Sequence, residues 1–221
     1  HGHIFPTNYA TGKSEASGLL NISDKIQKDG NTLVLDGGDS LQGTPFISYY
    51  LNHRKRWHFH PGALAFRAMG LDYYTGYQVL KEYLNAMEAV CLCANVEDLK
   101  GELRIQKEAV HTLENGLRIG LTGVVTDFVN VWEHESNLEG LRITDPLEAA
   151  KTACSHLKSL CDLRICIYHG GFEKDLEKGI LLSESKENVA CRLAEETDFD
   201  LLLTGHQHLA VESTVISKTF A

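Results

Sequence analysis

An α/β fold is what this sequence predicts, on three observations. Helix-period apolar patterns alternate with short β-branched runs along the chain. Most of those runs end in glycine beside aspartate or histidine. Polar clusters at the carboxyl ends of strands are where open α/β sheets place their ligand sites.

The elements follow in order. Residues 15–29 read as a helix with Leu19, Leu20, Ile22 and Ile26 on one face and Gly30 as its stop. Thr32 to Leu35 is a strand entering the turn Asp36-Gly37-Gly38-Asp39. Segments 61–70 and 77–88 have helical spacing, and Ala89 to Ala94 is a strand ending at Asn95. Residues 117–125 form another strand. Asp145-Pro146 then opens a helix to about Leu160, with Leu147, Ala150, Cys154 and Leu157 along one face. Leu163 to Tyr168 is a strand ending at His169-Gly170-Gly171, Glu187 to Glu196 a helix, and Phe199 to Leu203 a strand ending at Gly205-His206-Gln207-His208. With 221 residues and neither repeat nor linker, the chain reads as one domain spanning 1–221.

Composition narrows the function. A net charge of −9 disfavours DNA and RNA as partners, but it admits a small phosphorylated substrate if bound cations reverse the sign locally. No apolar run is long enough to span a membrane. The six cysteines offer only a C-x-C at Cys91 and Cys93, without a matching second pair for zinc. They read as buried reduced thiols, which favours a cytoplasmic protein over a secreted or cell-surface one.

Chemistry concentrates at the strand ends. Asp39 in GGDS, His169 in YHGG, and His206 and His208 in GHQH combine carboxylate oxygen with imidazole nitrogen, a donor mixture suited to Zn, Mn, Fe or Ni. His1 and His3, in the N-terminal HGH, make a fourth cluster. Singly, Asp39 reads as a turn residue as readily as a ligand, and a lone strand-end histidine reads more readily as a hydrogen-bonded surface residue; the paired histidines of GHQH carry more weight. His206 and His208 share a face if extended, and diverge on a tight turn. The run HRKRWHFH at 53–60 could grip a phosphate or end a helix in solvent. Asn95 could serve the site or a turn, and Glu173 and Asp175 could orient His169 or lie in solvent.

Together these segments resemble the calcineurin-like metallophosphoesterases, in the branch of 5′-nucleotidases and 2′,3′-cyclic-nucleotide phosphodiesterases. HGHIFPTNYATG at 1–12, GDSLQGTPF at 38–46, WEHESNLEGLRITDPLEAA at 132–150, HGGFEKDLEKG at 169–179 and GHQH at 205–208 occur in the family's order and cover nearly the whole chain. The resemblance implies a sandwich of two mixed sheets flanked by helices. It also implies two divalent cations: His1 and His208 on one, His169 and His206 on the other, and Asp39 bridging. The implied activity is hydrolysis of nucleotide phosphate esters by a water activated between two ions, with a small nucleotide or phosphate ester as partner. Oligomeric state and the particular ester stay open.

Two departures from the family pattern stand out. The aspartate expected two residues before His1 is absent. So is the G-N-H-E motif, whose asparagine would bind a metal and whose histidine would be the catalytic acid. Gly76-Tyr77-Gln78 directly follows Thr75, as though a short segment between Thr75 and Gly76 were missing. Further gaps are expected before His1 and after about Ser213, and nothing resembles the C-terminal domain of full-length nucleotidases. The alternative is a catalytically inactive, phosphoesterase-like binding or scaffold protein.

Overall fold

The computed structural model describes residues 2–41, 43–76 and 81–221, with the Lys81 side chain left out. From the N-terminus run α1 (Leu19–Ser23), β1 (Leu35–Asp36), α2 (Pro45–His53), α3 (Pro61–Met69), β2 (Tyr73–Tyr74), α4 (Lys81–Ala86) and β3 (Val90–Leu92). Then come β4 (Val96–Asp98), β5 (Ile105–Gln106), β6 (Glu108–Thr112), β7 (Arg118–Val125), α5 (Val129–Trp132) and β8 (Leu141–Ile143). The last are α6 (Pro146–Leu157), β9 (Leu163–His169), α7 (Ala190–Glu196), β10 (Leu201–Thr204), β11 (Val215–Ile216) and β12 (Thr219–Phe220).

Two sheets stack, so the expected α/β class and helix-flanked sandwich are both realised. One sheet is parallel, in the order β1-β2-β3-β5; the other is mixed, in the order β11-β12-β10-β9-β7-β6. Tyr73 and Leu92 from the first sheet meet Leu121 and Ile119 from the second in the layer between them. Outside the mixed sheet, Val124, Cys166 and Leu202 pack on Leu147, Ala150 and Cys154 of α6 and on Leu193 of α7. Outside the parallel sheet, Tyr74 and Cys91 pack on Phe66 of α3 and Tyr83 of α4. Burying both faces requires continuous apolar strands, and β7 is accordingly buried from Ile119 to Val125.

Local chemistry explains where the elements start and stop. Helix α6 opens as expected, with Asp145 accepting from the Glu148 amide and Pro146 in the first turn. Helix α3 closes on Gly70, whose left-handed φ of 66° suits a residue without Cβ. The expected helix 15–29 shrinks to α1. Gly18 at φ 81° breaks its start, and the Leu19 and Leu20 amides are taken by the carbonyls of His3 and Ile4. The expected strand 32–35 forms late because the Asp72 carboxylate, not a neighbouring strand, accepts from the Val34 amide. Helix α7 starts after the expected Glu187, and its cap comes from a distant loop: the Glu173 carboxylate accepts from the Cys191 and Arg192 amides. Residues 77–80, the start of the expected helix 77–88, lie outside the described residues.

All six cysteines are unpaired and all but Cys161 are buried, which raises the thiols of Cys91, Cys93 and Cys166 above their ordinary range. Among the described residues no helix is long and apolar enough to cross a membrane.

Candidate active site at the strand ends

Parallel pairing sets the site. Strand β10 pairs with β9 so that Thr204 lies beside Tyr168, and β9 pairs with β7 so that His169 lies beside Val125. The turns after β9 and β10 therefore leave the sheet at the same height, and the Gly205 amide donates to the Gly170 carbonyl at 3.3 Å. From the other sheet, the turn after β1 reaches the same place, where His169 Nδ1 donates to the Gly37 carbonyl at 2.7 Å. Asp39, His169, His206 and His208 line one cavity of about 640 Å3 at this junction.

The backbone is strained at these residues. Among the described residues, four besides glycine have a left-handed backbone, and three of them are Asp39 (φ 66°), His206 (φ 69°) and His208 (φ 55°). Such conformations cost on the order of 1–3 kcal/mol each and cluster where a site over-determines the chain. The GHQH segment is thus a tight turn rather than an extended one, with the Gln207 amide donating to the Gly205 carbonyl. Gln207 holds the turn against the HGGF segment: its Oε1 accepts from the Phe172 amide at 2.8 Å and its Nε2 donates to the Phe172 carbonyl at 2.9 Å. Gly38 permits the close approach of the two sheets, since a Cβ there would lie 2.7 Å from the Thr75 carbonyl and 3.1 Å from His169 Nδ1.

The donor set fits divalent cations by kind. His169 is buried, and its desolvation lowers the pKa, so the ring is neutral near pH 7. With Nδ1 donating to Gly37, its lone pair sits on Nε2, the tautomer a metal ligand needs. His206 Nε2 donates to Glu187 Oε1 at 2.8 Å, and its ring lies near that of His169, with centroids 5.4 Å apart. Among the described residues, however, no three of His, Cys, Asp and Glu come close enough to hold one ion. The four donors share a cavity without closing on a point.

Other sequence candidates sort out plainly. His1 lies outside the described residues. His3 is held away from the cavity, donating from Nε2 to the Thr7 carbonyl at 3.1 Å. Glu173 does not orient His169; it caps α7 as described above. Asp175 accepts from the Glu177 and Lys178 amides in a surface turn. Asn95 ties together the ends of β7 and β8, bonding to both backbone groups of Val125 and to the Thr144 carbonyl. The basic run at 53–60 ends α2, its Arg54 paired with Glu82 in solvent. His60 caps α3 instead, and burial pushes its pKa down to about 4. Two residues at the site escaped sequence reasoning. In the sequence Glu187 carries only a helix-start signal, and Trp132, stacked on His206 at 5.4 Å and 27°, stands out only within a family-like stretch.

No family model matches the chain. Curated relatives do. It is 28% identical to the trifunctional nucleotide phosphoesterase protein YfkN of Bacillus subtilis, over 94% of this chain and 16% of that protein. The solved structure of that relative, described as a calcineurin-like phosphoesterase, superposes with a TM-score of 0.77 at 27% identity, covering 97% of this chain and 71% of that one. A Staphylococcus aureus structure assigned as a 5′-nucleotidase superposes with a TM-score of 0.86 at 26% identity, over all of this chain and 46% of that one. A 2′,3′-cyclic-nucleotide 2′-phosphodiesterase/3′-nucleotidase of Yersinia enterocolitica is 27% identical over 96% of this chain and 36% of that protein. The chain thus spans 16% and 36% of the lengths of these curated relatives. Stacked sheets carrying Asp and His at their carboxyl ends, together with these relatives, define a phosphoesterase-type domain. In sequence and fold the chain is similar to calcineurin-like phosphoesterases, among relatives named as 5′-nucleotidases and 2′,3′-cyclic-nucleotide phosphodiesterases.

Proposed function

We propose that this chain is the catalytic domain of a metal-dependent phosphoric ester hydrolase acting on small nucleotides. The observation that carries the reading is the convergence of Asp39, His169, His206 and His208 on one cavity, from three separate strand ends, with strained backbone at three of the four. By family resemblance, His169 and His206 would hold one divalent cation, His1 and His208 the other, and Asp39 would serve both. Bound there, the cations would neutralise the phosphoryl oxygens and supply an activated water for in-line attack. Gly37 keeps His169 in the ligating tautomer, and Gln207 fixes the GHQH turn against the HGGF segment.

The reading includes a missing segment. The Thr75 amide donates to the Asp36 carbonyl, so whatever follows Thr75 leaves the sheet beside the Asp39 turn. A G-N-H-E segment inserted there would enter at the rim of the cavity. Alignments with the two curated relatives run to 237 and 241 positions against the 221 residues of this chain, so these relatives carry residues that it lacks, as the reading requires. The absent histidine would protonate the leaving alkoxide, a role worth roughly 10²–10⁴-fold in rate.

A second reading, a binding or scaffold protein, is favoured because no three donors among the described residues close on one point. Hydrolysis separates the two. With Mn2+ or Zn2+, protein encoded with G-N-H-E after Thr75 should hydrolyse an aryl phosphate and a 2′,3′-cyclic nucleotide. The 221-residue sequence as it stands should fall about 10²–10⁴-fold below it. No metal-dependent turnover from the complete motif would leave the scaffold reading.

A further inference from the structure

We propose that Glu187 is a positioning residue for His206, fixing which ring nitrogen is left to bind a cation; the inference rests on the two-metal reading of the site. Glu187 Oε1 accepts from His206 Nε2 at 2.8 Å, so the lone pair of the neutral ring falls on Nδ1. A carboxylate behind a ligating histidine sets both its tautomer and its orientation.

Glu187 is itself held by the strand ends that carry the site. Its carbonyl accepts from Thr126 Oγ1 at 2.6 Å, just past β7, and from Tyr168 Oη at 3.2 Å, beside His169 in β9. Thr126 and Tyr168 are both fully buried. The next residue, Asn188, accepts through Oδ1 from the Gly171 amide at 2.8 Å, which pins the loop to the HGG turn. Trp132 stacks on His206 from α5 with rings 27° from parallel, restricting rotation of the imidazole. Anchoring through backbone and neighbours leaves the Glu187 side chain with the histidine as its described partner. The pair is partly exposed, with side chains 24% and 30% accessible, so its electrostatic contribution to folding is small. Its consequence lies in the ring.

Glu187→Ala and Glu187→Gln separate this role from others, because glutamine keeps an acceptor oxygen and alanine does not. In 15N-histidine-labelled, metal-free protein, His206 should be the Nε2–H tautomer in the parent and Glu187→Gln, and a tautomer mixture in Glu187→Ala. Calorimetric titration with Mn2+ should show Glu187→Ala weakened on the order of 10–100-fold, with Glu187→Gln restoring most of the affinity. An unchanged tautomer and unchanged Mn2+ affinity in Glu187→Ala would overturn the proposal. Equal loss in both variants with the tautomer kept would also overturn it, by making the carboxylate itself a ligand. If the parent protein binds no Mn2+, the two-metal reading fails instead, while the tautomer comparison still decides whether Glu187 sets the ring.

Discussion

Asp39→Asn should remove more activity than any single histidine substitution at the site. In the proposed arrangement each histidine serves one cation, whereas Asp39 alone serves both. Losing an outer partner of a ligand costs roughly 10–100-fold, so losing the bridging carboxylate should exceed that range. The substitution is unusually clean for the fold. Asparagine has the same shape and accepts a left-handed backbone, so the φ of 66° at this position adds no new strain. Activity at matched metal loading, in protein carrying the complete motif, is the measurement. Comparable losses in the Asp39→Asn, His169→Ala and His206→Ala variants would argue against a bridging role.

The largest stability effect is expected at Gly123→Ala. Gly123 lies in β7 against the segment after β3, and the Ala94 amide donates to its carbonyl at 2.6 Å. A Cβ there would stand 2.2 Å from the Leu92 carbonyl oxygen and 2.6 Å from Thr75 Oγ1. The first of these is strand backbone, which cannot swing aside, so the sheets must part. Overpacking of this kind costs about 1–3 kcal/mol, sometimes more, and should appear as a lower urea midpoint with little change in slope. Thr75 is one of the displaced neighbours, so the variant should also disturb the chain at the point where the G-N-H-E segment is expected. An unchanged midpoint would mean the sheets are further apart than described here.

Much of this was legible in the sequence, and the remainder was hidden for physical reasons. Strands β7 and β9 and helix α6 follow their expected spans closely, because period, capping and burial all agree along them. Asp39, His169, His206 and His208 stand out because glycines flank them at strand ends, and the structure brings all four to one cavity. Helix α1 is shorter than its apolar spacing suggests, because the N-terminal segment competes for its first amides. The start of α7 was misplaced because its cap, Glu173, lies in another loop. Glu187 gave no local signal at all: its partner His206 is brought to it only by the fold. Strands β11 and β12, two residues each, are too short for any periodicity to register.

The central claim is that these strand ends form a two-metal site. It is tested most directly by metal stoichiometry in the protein carrying the complete motif. Equilibrium dialysis against Mn2+, followed by elemental analysis, should find two ions per chain, and Asp39→Asn should fall to fewer than one. Binding should also raise the melting temperature by an amount that grows with free Mn2+, since an assembled site binds the ions more tightly than the unfolded chain does. A parent protein that holds no Mn2+ or Zn2+ above its unfolded level, with its melting temperature unmoved, would contradict the account.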